Sequence, residues 1–167
     1  KVWFPTAATP IDYNDVIDNI RKTCARYDIF AVAYDPRFFG VTAEMLEAEG
    51  LPMVEFPQTR QRLEPAALHT FNQIVHGVIA HDGDRVLREH VGNARAKQSD
   101  RGFKLEKPKP DQHIDAAVAL TMAVFVLSEA KGEHERARQV RAQTAAEMED
   151  PELKEIMQQI KKEEGTA

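Results

Sequence analysis

A single cysteine, Cys24, in 167 residues excludes an internal disulfide and any thiolate metal cage, and its setting among helix-patterned apolar residues fits plain packing. Long hydrophobic runs are also missing. The longest, Ile114 to Leu127, is interrupted by Asp115 and falls short of the roughly 20 residues a membrane-spanning helix requires. The N-terminus lacks the basic-then-apolar order of a signal peptide, so the expectation is a non-membrane, intracellular protein. The six histidines have no His-Glu-x-x-His or related spacing, which argues against a zinc site. There is no Gly-x-x-x-x-Gly-Lys-Ser/Thr loop, no Gly-x-Gly-x-x-Gly turn and no Gly-x-Ser-x-Gly elbow, so ATP, dinucleotide and serine-hydrolase sites are not visible. Positive charge is not in excess either: 22 Lys+Arg against 27 Asp+Glu give a net charge of -5, which excludes coating nucleic acid through bulk charge.

What is present is an alternation of strands and helices ahead of a charged tail. Lys1 to Phe4 reads as a strand end, and its uncapped apolar start suggests that the chain begins inside a larger fold. Asp12 caps a helix with Tyr13, Val16, Ile17, Ile20, Cys24 and Tyr27 at helical spacing. Ile29 to Tyr34 has the unbroken apolar character of a parallel strand buried on both faces and stops at Asp35-Pro36. A helix over Val41 to Glu49 ends at Gly50, and Met53 to Phe56 is a second strand. Pro65 marks a position near the start of another helix, and Asp82-Gly83-Asp84 starts one that carries Val86, Leu87, His90, Val91 and Ala94. From Arg95 to Pro110 the chain is basic and broken, an exposed connection or hairpin with a short strand around Phe103 and Leu105. Asp111 is then expected to cap an apolar helix from Gln112 to about Ala130, stopped by Lys131-Gly132. The expected organisation is a domain over 1–130 and a charged helical tail over 131–167, the tail split at Asp150-Pro151.

Two carboxylates stand out. Asp35 ends a buried strand, where open sheets place their ligands, although the same dipeptide is a common turn opener. Asp115 sits in the first turn of an apolar helix. Burying it would be costly unless it were paired or bound to a cation, whereas the helix N-terminus would stabilise it if it were exposed. Asp111 shares a helix face with Asp115 at i, i+4, but a capping role suffices for it. Hard divalent cations choose such oxygens, and the basic run Arg95, Lys97, Arg101, Lys104, Lys107 and Lys109 would then meet a phosphate backbone.

Three segments in this order, Ala31-Val32-Ala33-Tyr34-Asp35-Pro36-Arg37-Phe38-Phe39, Gly50-Leu51-Pro52-Met53-Val54-Glu55-Phe56-Pro57-Gln58 and His113-Ile114-Asp115-Ala116-Ala117-Val118-Ala119-Leu120, resemble the C-terminal nuclease half of phage terminase large subunits. The resemblance runs from about Lys1 to Leu127. It implies an α/β fold of ribonuclease H-like type, a mixed sheet flanked by helices, here lacking the first strands. It also implies a two-metal site for Mg2+ or Mn2+ that cuts double-stranded DNA in the cytoplasm of a bacterial host, with a portal and a small terminase subunit as partners. Asp35 and Asp115 carry over as metal ligands and catalytic residues, and Lys107 and Lys109 as DNA contacts. The family's first acidic residue lies on the first strand of the fold, ahead of Lys1, so the chain alone is expected to bind metal weakly and cleave poorly. Two alternatives differ in class: a non-catalytic remnant kept as an interaction module, and another ribonuclease H-like nuclease such as a resolvase or transposase.

Overall fold

The computed structural model describes residues 2–149 apart from 4 and 7–9, with the backbone alone over 133–149. Two compact units divide the chain, Lys1–Leu127 and Ser128–Ala167. Of the strand end expected at the N-terminus, Lys1 and Phe4 lie outside the described residues, and Val2 and Trp3 belong to no strand. The expected break at Asp150-Pro151 also lies outside them.

The first unit opens with α1 (Tyr13–Arg26), for which Asp12 accepts a hydrogen bond from the Asn14 N–H at 2.9 Å, as its capping position demands. β1 (Val32–Tyr34), α2 (Pro36–Ala48) and β2 (Met53–Glu55) form a parallel crossover unit, with Val32 paired to Met53 and Tyr34 to Glu55. The strands are half-buried rather than covered on both faces. α2 begins five residues before the expected Val41, because Asp35 caps it and Pro36 occupies the first helical position, where its missing N–H costs nothing. The helix ends in a Schellman arrangement: Leu51 N–H donates to Leu46 O at 3.1 Å, Gly50 N–H to Glu47 O at 2.8 Å, and Gly50 has φ +88°.

α3 (Arg60–Val75) holds Pro65 in its interior rather than near its start. Such a proline forfeits one backbone bond and costs about 3 kcal/mol. Dense packing on both sides of it offsets this: Glu64, Ala66, Ala67 and Thr70 are all buried. α4 (Arg85–Asn93) is capped by Asp84, whose carboxylate accepts from Leu87 N–H at 2.7 Å. The basic stretch forms a hairpin, β3 (Arg95–Ser99) against β4 (Gly102–Glu106), antiparallel with Arg95 opposite Glu106. In place of the single mixed sheet expected, the described residues form two sheets of two strands each. The hairpin packs on α3 instead of extending β1–β2, and the edge-to-face pair Phe71–Phe103, 5.2 Å between ring centroids, marks that contact.

α5 (Asp115–Glu149) corrects two expectations. It starts three residues after Gln112, so Asp111 is not its cap, and it continues through Lys131-Gly132. An internal glycine costs only about 1 kcal/mol, which the good helix formers on both sides outweigh. The core gathers Phe56, Ala66, Met122 and Val126, flanked by Val54 and Phe125. Full burial of a side chain such as Phe56 contributes about 2–3 kcal/mol, and the Arg62 guanidinium lies 5.0 Å over the Phe56 ring and 5.3 Å over that of Phe125. Among the described residues no helix is long and apolar enough to cross a membrane.

Candidate active site

Asp35 stands at the C-terminal edge of the parallel pair. Phe56 N–H donates to Tyr34 O at 2.7 Å, so β1 and β2 end side by side. One Asp35 oxygen accepts from Arg37 N–H at 3.1 Å, which fixes the half-buried carboxylate and leaves its second oxygen for another partner. The preceding Tyr34 hydroxyl is 3.4 Å from Glu55, and burial, then the Glu55 charge, push its pKa above the ordinary value of 10.0.

Two residues beyond Phe56 the chain reaches Gln58, which lines a cleft of about 370 Å³ together with Leu105, Lys107, Gln112, His113 and Asp115. A second and larger cleft of about 750 Å³, walled by Trp3, Ile11, Val16 and Leu87, also reaches His113 and Asp115. Asp115 therefore lies on the boundary of both. Its side chain is 78% exposed, and His113 Nδ1 is 3.6 Å from its Oδ2. Water and the helix N-terminus stabilise this exposed carboxylate.

Asp115 and Lys107 thus share one cleft wall, whereas Asp35 and Lys109 do not line it. Lys107 Nζ donates to Pro110 O at 3.1 Å and keeps donors to spare for an anion. Lys109 is exposed in the same connection, where its carbonyl accepts from Gln112 N–H. Glu106, at the end of β4, is held below the ordinary carboxylate range by its hydrogen bond to Lys104.

The donor set suits a hard divalent cation: carboxylate oxygens, one pair of them open to solvent. Gln112 Oε1, in the same cleft wall, is a buried acceptor with no hydrogen-bond partner among the described residues. Asp115 offers its carboxylate to this cleft, and Asp35 offers one unbonded oxygen at the strand edge outside it. Among the described residues no group of three or more His, Cys, Asp or Glu side chains is placed to hold an ion.

His90, which the sequence places with the apolar residues of α4, does more than pack. It is buried, 2% exposed, and its Nδ1 accepts from the Ala116 N–H at 3.0 Å. Its position on the apolar face of α4 signalled burial, but nothing local could signal a bond to a helix 26 residues away. The same holds for Glu64, whose carboxylate accepts from Arg60 within α3 and from Ser99 of the hairpin, each at 2.8 Å.

Residues 5–131 match the family model described as terminase large subunit, endonuclease domain. The large terminase subunit of Enterobacteria phage HK97 is 30% identical over 122 residues, 71% of this chain and 24% of that protein. The crystal structure of the HK97 bacteriophage large terminase superposes with a TM-score of 0.61 at 29% identity, over 70% of this chain and 25% of that one. The chain spans about a quarter of the length of these relatives. With its mixed α/β fold of small sheets and flanking helices, it belongs to the terminase large subunit endonuclease domain family.

Proposed function

We propose that this chain is the nuclease part of a phage DNA-packaging terminase, a ribonuclease H-like domain over 1–130 followed by a charged tail, which cuts concatemeric double-stranded DNA with Mg2+ or Mn2+. The observation that carries this reading is the solvent-open Asp115 carboxylate in one cleft wall with Lys107, in a chain of the terminase endonuclease family. Asp35 and Asp115 would hold the ions. When bound, divalent ions lower the pKa of water and stabilise the leaving oxygen in phosphodiester cleavage. Asp35 would contribute one oxygen from a carboxylate already oriented by its backbone bond to Arg37, and Asp115 a solvent-open carboxylate with His113 3.6 Å from one oxygen. Lys107 and Lys109 approach the phosphates, which positions the duplex without reading its sequence.

Partners in packaging, a portal and a small terminase subunit, and a site of action in the host cytoplasm belong to this same proposal. With two carboxylate anchors, the chain alone is expected to bind ions weakly and to cut slowly. Robust magnesium-dependent cleavage by the purified chain would overturn that last expectation.

Anomalous scattering from crystals soaked in Mn2+ tests the site directly. An ion touching both Asp35 and Asp115 supports the nuclease reading. No ion at either carboxylate at millimolar Mn2+ would leave the fold as an interaction module.

A further inference from the structure

We infer that His90 and Asn93 of α4 form a clamp that positions Asp115 for the metal, an inference that rests on the metal reading of Asp115. Val118 N–H donates to Ile114 O at 3.0 Å, which makes Ile114 the capping residue of the helix, and an isoleucine side chain has no acceptor to offer. The orphan N–H of Ala116 is taken instead by His90 Nδ1 from another helix, at 3.0 Å. An imidazole that accepts at Nδ1 is neutral and carries its proton on Nε2.

One turn further along α4, Asn93 Nδ2 donates to His113 O at 3.1 Å. Two side chains at i, i+3 therefore grip the backbone two residues before Asp115 and one residue after it. The His113 ring lies over that of His90, 6.0 Å between centroids and tilted by 31°, and so continues the same contact. The carboxylate between the two grips makes none of these bonds and stays open to solvent. A backbone held on both sides of a solvent-open carboxylate is the arrangement a metal ligand needs, and it is supplied by residues that touch no ion themselves. They are positioning residues.

A helix cap that served stability alone would have the same contacts, so the test must read metal affinity. Mn2+ binding to the whole chain would be measured by electron paramagnetic resonance at a temperature where every variant is folded. Exchange of the 115–118 amides would be followed alongside. His90→Leu should raise the Mn2+ Kd by up to roughly tenfold, the low end of what loss of a partner bonded directly to a metal ligand costs, and speed exchange at Ala116. His90→Asn, whose Oδ1 takes the place of Nδ1, should restore both to within about threefold. Asn93→Leu, altered at the other grip, should weaken binding in the same direction and carries the test should His90→Leu not fold. If Asp115→Asn loses Mn2+ binding while His90→Leu and Asn93→Leu bind as the parent does, the clamp is only a cap and the inference fails. If Asp115→Asn itself binds as the parent does, the metal reading of Asp115 has failed instead, and the clamp loses its purpose with it.

Discussion

A β-carbon on Gly102 would stand 2.5 Å from the carbonyl oxygen of Glu64, and the glycine itself has φ +141°. The tip of the β3–β4 hairpin thus lies on the backbone of α3 at a separation only glycine permits. Gly102→Ala is expected to destabilise the domain by about 2 kcal/mol or more, from the strained φ together with a backbone that must shift. Thermal unfolding should show a melting temperature lower by roughly 4–8 °C for a chain of this size.

Glu64 is 3% exposed in its side chain and accepts from both Arg60 and Ser99. The hydrogen bond from Arg60, then that from Ser99, hold its carboxyl below the ordinary value of 4.5. A depressed pKa contributes stability that is complete above the unfolded value and is lost as pH falls through the folded one. The melting temperature should therefore fall below about pH 4.5, and Glu64→Gln should flatten this part of the profile while lowering stability at pH 7. An unchanged acid limb in the variant would remove Glu64 from the account.

Asp35 has two separable roles, cap of α2 and proposed metal ligand. Asn caps as well as Asp, so Asp35→Asn should leave stability within a few tenths of a kcal/mol, whereas Asp35→Ala should lose about 1 kcal/mol. Both should lose Mn2+ binding and any DNA cleavage. Calorimetric titration with Mn2+ beside thermal melts separates the two roles, and normal ion binding by Asp35→Asn would leave only the cap.

Lys107 and Lys109 are expected to act on phosphates. The double Lys→Ala variant should weaken binding to all duplex sequences alike and reduce the slope of log K against log salt by about two, roughly one per lost contact. Fluorescence anisotropy across a salt series measures this, and a sequence-dependent loss would point to base contacts instead.

Local chemistry made much of the fold legible. Asp12 and Asp84 cap their helices where the sequence places them, and Gly50 ends α2 as its freedom at positive φ predicts. The errors arose where packing overrides local preference. Pro65 lies inside α3 because the residues around it are buried, and α5 starts at Asp115 rather than behind Asp111 because an acceptor from α4 replaces the local cap.

By itself the sequence determined the helix and strand periods and the broken, basic character of the stretch with a strand near Phe103, since each follows from spacing, capping and charge within a few residues. Only the tertiary structure decided that the hairpin leans on α3, that Asp115 is solvent-open on a cleft shared with Lys107, and that His90 serves the start of α5. Those facts rest on residues 8 to 32 positions apart in the chain, for which hydrophobic patterning supplies no register.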